Sequence, residues 1–345
     1  MKSSYISTLS WTMSSMGSIT KIQNEITKKN TEIATGRYAD IGLQLGVTTS
    51  LSVNMRREYS QLQGLIDSNS LTQAVMTRTQ TGLTNILDTA SSYQQTLLSS
   101  QASAETVTQM QMEGQSGLSN LVAALGSTDG TRYVFGGINS GVAPVKDYSN
   151  GPQAAVEAAF VAKFGFASTD AQAANITASD MQDFLNNDFA TLFNDTNWKS
   201  TWSNASDQAL TKQVSQTESV TASVSANDPA IRKLAMAYTM MGYLGTTNLN
   251  TATLQVVMDQ SRATLSEGMT GVTNAAAAIG VSQNRTTNAT TQLQTTMDVV
   301  TTRISSLESV DPAQAKTELD TLTNQLSMSY STTTKLLSLT IMNYV

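Results

Sequence analysis

A seven-residue repeat of apolar side chains constrains this chain more than any other feature. Steps of seven from Met55 land on Leu62, Asn69, Met76, Leu83, Ala90, Leu97, Ala104, Gln111, Leu118 and Leu125. Leu65, Ile86, Tyr93, Val107 and Leu121 stand three positions beyond members of that series. The period returns in Leu265, Val272, Ile279, Thr286, Leu293, Val300 and Leu307, with Met269, Ala276, Met297 and Ile304 as companions. This spacing draws one apolar stripe along a helix, the a/d seam of a coiled coil. No Pro interrupts residues 55–125, so at ~1.5 Å rise per residue the pattern predicts a helix on the order of 100 Å long. A lone amphipathic helix is marginal, because its stability comes mostly from covering its stripe. The two halves carry comparable stripes, so they are expected to pack on each other as a hairpin-like rod, 55–125 against 254–307.

Shorter stripes lie outside these two. Ile19, Ile22, Ile26 and Ile33 follow the same rhythm, with Leu9, Met13 and Met16 ahead of them and Lys29 at a polar break. The pattern stops at Thr35, where Gly36, Gly42 and Gly46 mark a loop. Near the other end, Asp311 before Pro312 reads as an N-cap followed by Pro at the first helical position. The helix that starts there carries Leu319, Leu322, Leu326, Leu336, Leu337 and Ile341 and is expected to run almost to Tyr344 and Val345. Asn69, Gln111, Gln283 and Thr286 dilute the long seams. Such polar positions weaken a coiled coil while fixing its register, and they predict ends that order fully only on assembly with neighbours.

Between the long stripes, from about Gly136 to Asn227, the seven-residue rhythm disappears and Gly, Ala, Asn, Asp and Phe become common. Residues 154–164 and 181–193 read as short helices, the second through Met181, Leu185, Phe189 and Leu192. Val220, Ala222, Val224 and Ala226 alternate as in a half-buried strand. Asn227 or Asp228 ahead of Pro229 then caps a helix carrying Ile231, Leu234, Tyr238 and Met241. The expected fold is mainly α: long paired N- and C-terminal coiled-coil helices forming a rod, with a small mixed α/β insert between them. The expected divisions are 1–40 (inner assembly helix and loop), 41–137 (rod helices), 138–228 (insert), 229–310 (returning rod helices) and 311–345 (inner assembly helix).

Composition narrows the chemistry. The 345 residues include no Cys and no His, which removes thiolate nucleophiles, disulfides, the commonest metal ligand and the one side chain that ordinarily titrates near neutrality. Net charge is -6, and the scattered Lys and Arg give no basic footprint for nucleic acid. No cofactor is expected. Met1 to Tyr5 do not open a cleavable signal, and no apolar run is long enough to cross a membrane. Arg56, Arg57 and Glu58 read as a solvated helix face rather than an acid–base site. Gly136, Gly137 and Gly141 lack the Lys-Ser/Thr pair of a phosphate loop and read as a turn. Trp198 and Trp202, near Phe189 and Phe193, read as the core of the insert, and the seam Met residues as core fillers.

Taken together, these segments resemble the flagellin family, and within it the hook-associated proteins that join flagellar hook to filament. The loop Thr35, Gly36, Arg37, Tyr38, Ala39, Asp40 is similar to that family's turn after the first helix, though it lacks the usual Asp-Asp pair and following Pro. Tyr133, Val134, Phe135, Gly136 and Gly137, with Pro144 downstream, resemble the aromatic–glycine segment of the distal junction members. The run from Leu319 through Tyr330, Ser338, Leu339 and Asn343 to Tyr344 and Val345 resembles their C-terminus. The resemblance spans roughly 1–140 and 230–345. It implies a non-enzymatic subunit exported without a cleaved signal and assembled outside the cell as a ring at the hook–filament junction. Its implied partners are the preceding junction protein, flagellin and a cytoplasmic export chaperone. A divergent flagellin, a hydrolase carried by the insert and an unrelated cytoplasmic coiled-coil protein are the competing expectations.

Overall fold

A computed structural model describes residues 8–342 of the chain, apart from the side chains of residues 8–12, 104, 336, 337 and 339–342. Helices dominate: α1 (Thr8–Thr35), α2 (Ile41–Leu45), α3 (Thr49–Ser99), α4 (Ala104–Leu125), α5 (Pro152–Phe164), α6 (Ala178–Phe184), α7 (Asp195–Asn197), α8 (Pro229–Tyr243), α9 (Thr251–Glu308) and α10 (Pro312–Met342). Two short strands, β1 (Thr211–Gln213) and β2 (Ser219–Thr221), pair antiparallel with Lys212 opposite Val220. Among the described residues, no helix is long and apolar enough to cross a membrane. The expected architecture of long terminal helices around a small strand-containing insert is the one observed. The chain divides into two compact units, 1–64 with 294–345, and 65–293.

In the first unit the helix ends are set by local chemistry. Gly36 adopts a left-handed φ of 69° and its N–H donates to the Glu32 carbonyl at 2.8 Å, which closes α1 as a glycine C-cap. Asp40 caps α2 by accepting from the Leu43 N–H at 2.9 Å, and Asp311 caps α10 by accepting from Ala313 at 2.8 Å. Pro312 occupies the first turn of α10, where its missing N–H costs nothing. Helices α1 and α10 run antiparallel, since Gln23 meets Tyr330, Lys29 meets Glu318 and Gly36 meets Val310. Leu62, Met297, Val300, Ile304 and Ala315 are buried in this unit.

The second unit corrects one expectation. The seven-residue register through Ala104 does not build one helix: α3 stops at Ser99 and α4 begins at Ala104. The freed carbonyls at the end of α3 are taken by Arg262 of α9, whose guanidinium donates to Leu97 O (Nε, 2.9 Å) and to Ser100 O (3.2 Å). A helix end satisfied by a cation is stable where Ser99, Ser100 and Ser103 weaken the helix anyway. The register still predicts burial on both sides of the break, because Leu62, Met76, Leu83, Ala90, Leu97, Leu118 and Leu125 are all buried. Gln111 is half-buried, with Met110 inside in its place.

Helices α4, α8 and α9 approach closely because glycines line the contacts. A Cβ on Gly117 would stand 2.4 Å from the Tyr238 ring, one on Gly114 would stand 3.0 Å from the Gly242 N, and one on Gly271 would stand 2.5 Å from Ala230 Cβ. The capping of α8 follows expectation, with Asp228 accepting from Ala230 at 2.8 Å ahead of Pro229. Ile231, Leu234, Tyr238 and Met241 are all buried.

The insert shares this core. Phe160, Phe184, Phe189, Phe193, Trp198 and Trp202 form a chain of ring contacts, ending in a stacked Trp198–Trp202 pair 5.2 Å apart. Two details differ from expectation. The 181–193 helix is regular only to Phe184 and loosens to a wider π-type turn over Leu185–Phe189, which turns both of those side chains inward. The alternating segment 220–226 joins a ladder only at Ser219–Thr221. Beyond it the chain lies on the core through Ala222 N–H to Leu210 O (2.7 Å) and Ala226 N–H to Phe135 O (2.8 Å). The expected alternation does not hold beyond Ala222, since Ser223 and Ser225 are buried while Val224 is only half-buried; the Ser223 hydroxyl accepts from Leu210 N–H and the Ser225 hydroxyl donates to Ser206 O.

Candidate assembly interface

The terminal pair places the stripe residues together and leaves them incompletely covered. Ile19, Ile22, Ile26 and Ile33 on α1 and Leu319, Leu322 and Leu326 on α10 are all only half-buried. Met13, Met16, Met328 and Tyr330 are exposed on the same two helices. Leu337 and Ile341 lie on α10 but outside the described side chains, and Tyr344 lies outside the described residues. Two helices alone cover only the facing half of each stripe. The uncovered half remains available to a further partner.

A polar node fastens the base of this pair. Lys29 of α1 bridges Glu318 of α10 at 2.7 Å and Glu32 of its own helix at 2.9 Å. Its ammonium is held above the ordinary lysine range, first by Glu318 and then by Glu32. Glu318 is correspondingly held below the usual carboxylate range by Lys29. Glu32 is buried and accepts from the Ala39 N–H at 3.3 Å, which ties the loop after α1 back onto the helix.

The strongest contact is one that periodicity does not reveal. Glu308, the last residue of α9, has a fully buried side chain. Arg56 donates to it through both Nε (2.8 Å) and Nη2, Ser52 donates its hydroxyl, and Arg37 Nη1 stands at 3.9 Å. Arg56 holds the carboxyl below its usual range, with Ser52 and Arg37 adding to the effect against burial. Around it the backbone pairs like a two-residue ladder, Tyr38 N–H to Glu308 O and Val310 N–H to Gly36 O, each at 3.0 Å. Arg56 therefore belongs to a clasp rather than to the solvated face expected of it, while Arg57 and Glu58 are exposed. A forked guanidinium on a buried carboxylate fixes geometry as well as energy.

Tyr133, Phe135, Gly136 and Gly137 belong to the other unit. Phe135 is buried and packs under Gly82 of α3, where a Cβ would come within 2.7 Å of its ring. Tyr133 is half-buried, with its N–H donating to Ser140 O. Gly137 has φ 60°, and a Cβ there would meet the carbonyls of Ser206 and Gln208 at 2.6 Å. Ser206 N–H donates to Gly136 O and Ile138 N–H donates to Gln208 O, each at 3.0 Å. The segment is thus the seam that stitches the second half of the insert to α3, and only glycine fits it.

A groove of about 1430 Å³ in the second unit mixes amides and hydroxyls, among them Asn69, Gln73, Asn120 and Thr290, with apolar surface from Ile66, Ala74 and Ala123, and Arg78 is the charged residue in its lining. Among the described residues, no group of three His, Cys, Asp or Glu is placed to hold a metal ion.

Comparison with known proteins finds matches at the two ends of the chain. Residues 6–140 match the bacterial flagellin N-terminal helical region, and residues 263–345 match the bacterial flagellin C-terminal helical region, together more than half of the chain. No curated protein matches by sequence. In structure, the chain is similar to a Vibrio parahaemolyticus protein described as flagellar hook-associated, with TM-score 0.53 and 10% identity over 76% of this chain and 97% of that one. FlgL of Bacillus cereus aligns at TM-score 0.47 and 12% identity, over 73% of this chain and 98% of that one. The two matched regions contain α1 and α10, the helices that pair through Lys29 and Glu318, and this chain is a member of the bacterial flagellin family.

Proposed function

We propose that the chain is a structural adaptor at the junction of the flagellar hook and filament, outside the cell, where copies assemble in a ring. One observation carries the reading: on the paired helices α1 and α10, Ile19, Ile22, Ile26 and Ile33 and Leu319, Leu322 and Leu326 are only half-buried. Apolar area removed from water contributes about 25 cal/mol per Å², so neighbouring subunits that cover this stripe stabilise the assembly. Leu337, Ile341 and Tyr344 belong to the same proposal. The work is done by packing, with no bond made or broken. Contacts with the preceding junction protein below, with flagellin above and with a cytoplasmic export chaperone belong to the same proposal, as does export without a cleaved signal. Likeness in fold to a protein described as flagellar hook-associated accords with a flagellar subunit.

Deleting residues 312–345 tests it. Cells should then carry hooks without attached filaments, and normal filaments on such cells would sink the reading. A gold-labelled antibody on intact wild-type cells should mark a single point between hook and filament. Label spread along the filament would instead make the chain a divergent flagellin.

A further inference from the structure

We propose that Met13, Met16 and Met328 form an oxidant-sensitive modification site on the α1–α10 pair, where a peroxide converts the thioethers to sulfoxides and lowers self-association, given that this pair is the self-assembly face proposed above.

Methionine carries all the sulfur of this chain, because there is no cysteine. Among the described residues the thioethers separate by environment. Met76, Met110, Met181, Met240, Met241 and Met258 are 0% exposed in the core of the second unit. Four others stand open to solvent: Met13 (62%), Met16 (61%), Met112 (63%) and Met328 (61%). Three of these four lie on α1 and α10, so exposed sulfur is concentrated on the pair of helices that the family shares at its two ends.

Position gives that concentration its meaning. Along the apolar stripe of α1, Ile26, Ile22 and Ile19 are half-buried; three and six residues before Ile19 the stripe continues as Met16 and Met13, which are exposed. The residue type changes where the cover gives out. Met328 of α10 lines a groove of about 410 Å³ between the two helices, which Ile22 lines from α1. An unbranched, polarizable side chain adapts to whatever surface comes to cover it, which suits a site filled only on assembly.

The same thioethers are the groups that a peroxide attacks. A lone pair on sulfur displaces water from hydrogen peroxide: the O–O bond breaks, an S–O bond forms, sulfur loses two electrons and the peroxide is reduced to water. Susceptibility follows exposure, so the core sulfurs are shielded while Met13, Met16 and Met328 react. The product is polar and accepts hydrogen bonds. Covering it without a donor costs the hydration it had in water, so a face that gained stability by being covered as thioether loses it as sulfoxide.

The test uses the purified full chain, hydrogen peroxide as oxidant and catalase to stop the reaction. Peptide mapping by mass spectrometry should show sulfoxide at Met13, Met16 and Met328 building roughly tenfold or more faster than at Met76, Met110 and Met258. Sedimentation velocity over a concentration series should then show self-association weakened by roughly tenfold or more relative to untreated chain, with far-UV circular dichroism unchanged. The triple variant M13L/M16L/M328L conserves side-chain volume and should associate as the parent does both before and after peroxide. M112L, which removes an equally exposed sulfur from the other unit, should remain as sensitive as the parent. Methionine sulfoxide reductases A and B, which together reduce both sulfoxide epimers, should restore association of the oxidised parent. Association unchanged after the three sulfurs are oxidised, or lost equally in the triple variant, overturns the proposal and leaves the assembly reading standing. A chain that is monomeric at every soluble concentration before oxidation removes the self-association reading, and this proposal with it.

Discussion

The Arg56–Glu308 clasp makes a quantitative prediction. Removing one partner of a fully buried ion pair costs about 3–5 kcal/mol, whereas an exposed pair contributes about 0–1 kcal/mol. Glu308 has no exposed side-chain surface while Arg56 is 44% exposed, and Ser52 and Arg37 still face the carboxylate when Arg56 is gone. Arg56→Ala should therefore destabilise the clasp by about 2 kcal/mol, equivalent to roughly a 30-fold change in local opening. Hydrogen exchange reads this directly. The amides of Tyr38 and Val310, which donate to Glu308 O and Gly36 O, should exchange roughly 30-fold faster. Amides inside α8, in the other unit, should not change. Adding Glu308→Gln to Arg56→Ala should recover part of the loss, because the uncompensated buried charge is gone. Less than roughly threefold acceleration at Tyr38 and Val310 would place the pair among exposed ones and refute the reasoning.

Two further outcomes follow from the same geometry. Glu308 and Glu318 titrate below their unfolded values, so their contribution is present above about pH 4.3 and is lost as pH falls through the folded values; Lys29 titrates above its own, so its contribution is present below about pH 10.4 and is lost as pH rises through the folded value. Exchange at Tyr38 and Val310 should thus be slowest, after correction for intrinsic rates, between those limits, and Glu308→Gln should flatten the acid side. Gly137→Ala asks a side chain to adopt a left-handed φ, costing about 1–2 kcal/mol, and drives its Cβ against two carbonyls. Limited proteolysis within residues 138–228 should quicken severalfold, and an unchanged cleavage pattern would show that the segment does not stitch the insert in place.

Much of the helical plan is legible in the amino-acid order because it rests on local rules. A seven-residue stripe, a glycine at the end of α1 and an Asp-Pro at the start of α10 act through neighbours a few residues away. The two ends therefore announce themselves as partners before any contact is seen. What tertiary structure alone decided are the points where distant residues meet. Arg262 ends α3 from far along the chain, and nothing in the register through Ala104 signals that break. Arg56 reads as a surface cation until α9 brings Glu308 against it, and Gly117 reads as a weak spot in α4 until the Tyr238 ring fills the space above it. Periodicity reports which side of a helix is covered, whereas which group covers it depends on the approach of segments separated by more than a hundred residues.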